Sequence, residues 1–253
     1  PLFGLDFYRD GMVFAMIQRP EQFGMKLKSF DGSIAKSMPG IIDVVSFKNN
    51  VAVVGKSTWQ VLKARKMLKI EYEKEFALES TEDHDKLFLN LMDNGQATVR
   101  RKDGDVDAAF KNATKVIKGE YQCPFISHSP MEPMNFFADV TEGKAELAGP
   151  TQTPEFMEKT VAARLGMEVE QVDIQMTRMG GGFGRRLYGH FLVEAAVISQ
   201  KVKAPVKLIY TREDDMTTGI YRPAYLATYR AALDENNKLI AFHVNAGGIP
   251  ESP

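Results

Sequence analysis

The sequence predicts an α+β fold in two domains, 1–80 and 114–253, joined by a linker over 81–113 that carries short helices. Three observations predict it. Strand-like apolar runs recur on both sides of a polar stretch. Capped helical segments are interspersed among those runs. The polar stretch itself, 76–112, has little apolar pattern.

In the first block, Met12 to Ile17 reads as a buried strand. Asp31-Gly32-Ser33 caps a short helix that ends before Pro39-Gly40. Ile41 to Phe47 and Val51 to Val54 form two strands around the turn Lys48-Asn49-Asn50, and Ser57 or Thr58 opens a helix through Lys69. Ile70 to Glu73 returns as a strand. In the linker, helical pieces are expected at 83–93 and 105–112. There the acidic run Thr81-Glu82-Asp83-His84-Asp85 suits a helix N-terminus better than a metal cluster.

The second block opens with a strand from Val116 to Cys123. Asn135–Thr141 and Lys144–Ala148 form a hairpin around Glu142-Gly143. Thr153-Pro154 starts a helix to Leu165, with threonine as cap and proline in the first turn. A strand at 170–177, a glycine loop, a helix at 187–202 and a strand at 206–211 follow. Arg212-Glu213-Asp214-Asp215 reads as a charged turn and helix start. Two long strands, about 223–233 and 238–247, close the chain around Asp234 to Asn237.

Composition narrows the function classes. The chain has 253 residues, 44% hydrophobic and 26% charged, with a formal net charge of −1. That balance argues against a nucleic-acid surface. No apolar run reaches the length of a membrane span. One cysteine, Cys123, supports neither a disulfide framework nor a thiolate metal or iron–sulfur site, and it reads as a small buried residue in a strand. The four histidines are scattered, with no pair at metal-ligand spacing, and no nucleophile elbow occurs. The chain begins at Pro1 and stops at Pro253 as if both ends were cut from something longer. The sequence assigns no compartment.

Residues 180–186, Gly-Gly-Gly-Phe-Gly-Arg-Arg, are the strongest chemical signal. A strand before and a helix after are the setting in which backbone amides meet an anionic group. The run does not fit the nucleoside-triphosphate loop, because Gly184 is followed by Arg185-Arg186. It also fails the dinucleotide fingerprint, whose third glycine falls on Arg185. The arginine pair reads as a local anion contact. Two further loops stand beside it. His128-Ser129-Pro130-Met131-Glu132-Pro133-Met134-Asn135 is either a rigid cavity-lining loop or a stiff connector. Gly149-Pro150-Thr151-Gln152-Thr153 puts a glutamine amide at a strand-to-helix junction, where plain capping by threonine is the other reading. A nucleotide-binding domain using Gly180 to Gly184, or a non-catalytic interaction module, stays open on these residues alone.

Taken together, the three loops resemble the large subunit of molybdenum hydroxylases, the xanthine dehydrogenase and aldehyde oxidase superfamily. Thr151-Gln152 followed by Met179-Gly180-Gly181-Gly182-Phe183-Gly184 carries that resemblance. Arg185-Arg186-Leu187-Tyr188-Gly189 and Pro130 to Asn135 are similar to the isoquinoline 1-oxidoreductase β-subunit branch. The resemblance implies an N-terminal α/β hammerhead domain and then the first part of a molybdopterin-binding α+β domain.

It also implies the chemistry. Such enzymes hydroxylate an N-heterocycle or an aldehyde at molybdenum, with oxygen from water. Electrons leave through a small iron–sulfur subunit, and the cofactor is molybdenum-molybdopterin, in a dinucleotide form. The implied cofactor-binding residues are Gln152, Gly181, Gly182, Phe183, Gly184 and Arg185. His128, Glu132 and Leu187 are the implied substrate-pocket residues, and no residue here ligates metal directly. The xanthine-oxidising branch carries an acidic residue where this chain has Leu187, so purine recognition by that carboxylate is not expected. The family's general-base glutamate lies in a Gly-x-Gly-Glu motif that does not occur in this chain. The chain is therefore expected to be a folded fragment, largely without cofactor, inactive alone and prone to form a homodimer over its bared apolar face.

Overall fold

The computed structural model describes residues 2–77, 79–217 and 220–249; Pro1 and Pro253, the ends read as cut, lie outside them. In chain order the elements are β1 (Val13–Gln18), β2 (Met25–Asp31), α1 (Ser33–Ser37), β3 (Ile41–Phe47), β4 (Asn50–Gly55), α2 (Thr58–Arg65) and β5 (Lys69–Lys74). Then come α3 (Thr81–Asn94), α4 (Val106–Lys111), β6 (Lys115–Cys123), β7 (Asn135–Val140), β8 (Ala145–Gly149) and α5 (Pro154–Leu165). The last are β9 (Val172–Met176), α6 (His190–Val202), β10 (Val206–Ile209), α7 (Arg212–Thr217), β11 (Ala224–Leu233) and β12 (Leu239–Ile249). The α+β class expected from the sequence is what forms.

The chain divides into two compact units, each built from two segments. One takes Pro1–Leu78 with Ser127–Ile220, the other Glu79–Ile126 with Tyr221–Pro253. These limits differ from the expected 1–80, 81–113 and 114–253. The reason is strand pairing: β1 runs parallel to β10, with Val13 opposite Val206. The first block therefore shares a sheet with the second.

That sheet has seven strands in the order β3-β4-β1-β10-β7-β8-β9. β7 is Asn-Phe-Phe-Ala-Asp-Val and nearly all buried, as a strand covered on both faces must be. On one face α5 and α6 close a core that includes Phe136, Leu147, Met157, Phe191, Ile198 and Leu208. On the other, α1 and α2 cover Met16 and Val53 with Ala35, Val61 and Ala64. Each large side chain so buried contributes about 1.5–3 kcal/mol. Local signals set the helix ends. The Ser57 side chain accepts from Gln60 N at the start of α2. Pro154 opens α5, and Gly166 ends it at φ +72°. β2 and β5 make a separate two-stranded ribbon in this unit.

In the second unit β6, β11 and β12 form an antiparallel sheet, with α3 and α4 against β12. The polar stretch read as a linker is thus a layer of this unit. Ser80 and Asp83 form a capping box at the start of α3, as the acidic run led us to expect of a helix N-terminus. Cys123 lies in its expected strand but is exposed, because β6 is solvent-facing along most of its length. Among the described residues, no helix is long and apolar enough to cross a membrane.

Candidate functional site

The glycine loop lies between β9 and α6, at the end of the seven-stranded sheet. It does not run straight into the helix. Residues 185–187 form a 3₁₀ turn, and α6 starts only at His190, not at the expected 187. The loop backbone takes positive φ at Gly181 (+100°), Phe183 (+52°) and Gly184 (+92°). For a phenylalanine this costs about 1–2 kcal/mol. The ring finds no compensating burial, since Phe183 is 73% exposed. Such strain at an exposed aromatic points to function.

Gln152 is in contact with this loop. Its Oε1 accepts from Gly184 N at 3.2 Å, and its own N–H donates to Arg186 O at 3.1 Å. Thr151 Oγ1 adds a bond to Arg186 O, and Thr153 Oγ1 one to Leu187 O, both at 3.4 Å. The bond from Gly184 takes the amide oxygen as acceptor and leaves Nε2 as a donor. Among the described residues neither that Nε2 nor the N–H groups of Gly181, Gly182 and Phe183 meet an acceptor. Successive backbone amides in turn conformations with left-handed residues can form a concavity for anions. A Cβ on Gly182 would lie 2.6 Å from Gln152 Oε1, so a side chain here would push the glutamine off its bond to Gly184.

The other expected residues take different places. His128 flanks the loop, with Nε2 3.7 Å from where a Cβ on Gly184 would be. Leu187 is 45% exposed just beyond it. Glu132, expected to line a substrate pocket, is buried with its carboxylate committed to Gly180 N, Leu5 N and Asn135 Nδ2. It has no free oxygen to offer a substrate. The arginine pair is also internal, not an open anion contact. Arg186 donates to Gly181 O at 2.8 Å and Glu132 O at 2.7 Å. Arg185 is 1% exposed and turns beneath the loop towards Glu194, Tyr210 and Asp215, so it does not reach the loop's open side.

Beneath the loop lies a charged layer that no sequence motif announces. Arg19 pairs with Glu194 at 2.5 Å and stacks over the Tyr210 ring, while Tyr210 donates to Glu194 at 2.7 Å. Burial lowers the Arg185 guanidinium, against the pull of Tyr210 and Asp215. Burial, then Arg185 and Arg19, hold His190 well below the usual histidine value, so it is neutral. Burial raises the Asp215 carboxyl, with Arg185 opposing. The only sequence signal for this layer was the charged residues inside apolar runs. Arg212, read as part of a charged turn, donates to Pro130 O at 2.9 Å and Met131 O at 2.7 Å and so fastens the 128–135 loop.

The arrangement offers an anionic group several backbone N–H groups and one side-chain amide donor that no described residue engages. Residues 90–247 match the molybdopterin cofactor-binding domain family, and the chain belongs to that family. It is 31% identical over 248 residues to the isoquinoline 1-oxidoreductase subunit beta of Brevundimonas diminuta, covering 94% of this chain and 32% of that protein. A membrane-bound aldehyde dehydrogenase (pyrroloquinoline-quinone) of Gluconacetobacter polyoxogenes is 28% identical over 262 residues, covering 97% and 33%. Among solved structures, quinoline 2-oxidoreductase from Pseudomonas putida 86 superposes with a TM-score of 0.79 at 18% identity, covering 96% of this chain and 36% of that one. Aldehyde oxidoreductase from Desulfovibrio gigas gives 0.78 at 16% identity, covering 97% and 32%. The chain spans about a third of the length of these relatives.

Proposed function

We propose that the chain is the glycine-loop part of a molybdenum hydroxylase large subunit, and that its parent hydroxylates an N-heterocycle or an aldehyde with oxygen from water. The observation that carries this reading is that the Nε2 of Gln152, whose Oε1 is bonded to the loop, and the N–H groups of Gly181, Gly182 and Phe183 meet no acceptor among the described residues. These donors suit the oxygen atoms of a molybdenum–pterin group, and the bare backbone at Gly182 leaves room for close approach. Gln152 and Gly181 to Gly184 would hold the group. Arg185 would support it from below as buried positive charge. When bound, the group supplies the redox chemistry, and the protein supplies position and hydrogen bonds. His128 and Leu187 would border the substrate. The general-base glutamate, the rest of the cofactor contacts, and the iron–sulfur subunit that takes the electrons lie outside this chain. A dinucleotide form of the pterin, a homodimer of the fragment, and inactivity of the fragment alone belong to the same reading.

Two observations weigh against the other readings. A pyrophosphate loop delivers its ligand to a helix N-terminus, whereas here a 3₁₀ turn separates loop and helix. An interaction module gives the three loops no reason to meet, yet bonds join 132 to 180, 152 to 184 and 186 to 132. The test is to produce the full-length protein with its partner subunit and measure molybdenum by elemental analysis and pterin by fluorescence after oxidation. Near-stoichiometric molybdenum is expected, with a severalfold lower kcat in Gln152→Ala at retained metal. A folded preparation that holds a quinone absorbance and no molybdenum would overturn the assignment in favour of quinone chemistry, which the name of the Gluconacetobacter relative carries.

A further inference from the structure

We infer that Glu132 is a positioning residue which, with Arg186, presets the shape of the glycine loop before any ligand arrives; its purpose rests on the cofactor reading above, its geometry does not. Glu132 is 6% exposed and Arg186 0%. At the loop's entry the two backbones and one side chain form a reciprocal pair: Glu132 N donates to Gly180 O at 3.0 Å, and Glu132 Oε2 accepts from Gly180 N at 2.7 Å. At its exit Arg186 reaches back, with Nη2 donating to Glu132 O at 2.7 Å and Nε to Gly181 O at 2.8 Å. Entry and exit are thus tied to one residue, and the segment between them carries the three positive φ angles.

Distances decide between this role and simple charge pairing. Were Glu132 present to neutralise Arg186, their charged atoms would make the short contact. Instead Oε2 lies 3.5 Å from Arg186 Nη2 and 2.7 Å from Gly180 N. The carboxylate is spent on backbone. Its other oxygen accepts from Leu5 N at 2.9 Å and Asn135 Nδ2 at 3.0 Å, which anchors Glu132 itself. Phe183 gains nothing from burial in its left-handed conformation, so an untied loop would relax towards ordinary backbone angles. A tied loop keeps the backbone of 181–184 in one conformation, which lowers the cost of ordering on binding.

Hydrogen exchange on the 253-residue chain, read by mass spectrometry over 178–187, tests this without cofactor. Glu132→Ala and Arg186→Lys are expected to raise loop exchange at least tenfold, while the strands β3 and β4 exchange as in the wild type. Glu132→Gln keeps one acceptor and is expected to fall between them. If Glu132→Ala fails to fold, Glu132→Gln and Arg186→Lys carry the test. Loop exchange within twofold of wild type, or a rise spread evenly over the seven-stranded sheet, would overturn the inference. In the full-length protein Glu132→Gln is expected to lower molybdenum content severalfold; undiminished molybdenum with a loosened loop would also overturn it. A wild type without molybdenum sinks the cofactor reading and leaves the exchange result standing.

Discussion

A methyl group on Gly182 would sit 2.6 Å from Gln152 Oε1 and 3.3 Å from Met179 Sδ. Gln152 can swing aside, so Gly182→Ala is expected to cost only about 1 kcal/mol, the worth of the bond lost to Gly184. Its signature is local: a small shift in midpoint on denaturant titration, with faster exchange at the Gly184 amide. Lys207 offers a test by pH. Its ammonium is 1% exposed in β10 and donates to the carbonyls of Gly4 and Phe7. Burial brings it down to about 8 from an ordinary value of 10.5. The unfolded chain therefore holds more protons than the folded one between those values, and stability rises with pH across that window. Wild type measured against Lys207→Met by chemical denaturation should gain about 2–3 kcal/mol between pH 7 and 10.5. A flat difference would show that Lys207 stays fully charged when buried.

Helix α6 carries the one charged side chain that its apolar run would not lead one to bury. Glu194 holds Arg19, on the segment leaving β1, and Tyr210, just past β10. Glu194→Ala leaves Arg19 buried without its partner, and a loss of about 3–5 kcal/mol in unfolding free energy is expected. Simple patterns were enough to read much at this scale. The β7–β8 hairpin, α5 behind Thr153-Pro154, and β11 and β12 stand where their periodicity and turn residues put them. β2 has no clear signal in the sequence, since Met-Lys-Leu-Lys-Ser-Phe-Asp mixes lysines with apolar residues and borrows its order from pairing with β5. The helix expected to run to Lys69 ends at Arg65, and Lys69 opens β5. At the site, the meeting of Gln152 with the glycine loop followed from a resemblance, not from periodicity. The inward turn of Glu132, Arg185 and Arg186 was not legible, because a charged residue in a loop reads as solvated until a buried partner is known.

The whole chain is organised by pairings of distant segments. Ala15, Ile17, Ala52 and Val54 belong to the same core as Phe136, Phe191 and Leu208. Residues 1–80 made alone would lack β10 beside β1 and the helices that cover this face. They are expected to show little cooperative unfolding by circular dichroism, whereas the 253-residue chain should melt cooperatively. A sharp transition in the short piece would mean that β1 to β5 close a core of their own.

The parallel pairing of Val13 with Val206 has a cost in time. A ribosome adding about 5–20 residues per second needs roughly 10–40 seconds between the two. Through that interval the first strand made has no neighbour on one edge, and its valine-rich companions are bare to the cytosol's or translocon's crowd of other nascent chains. Co-expressed holdase chaperones or a lower growth temperature are therefore expected to raise the soluble fraction of the freshly made chain, read by centrifugation of the lysate.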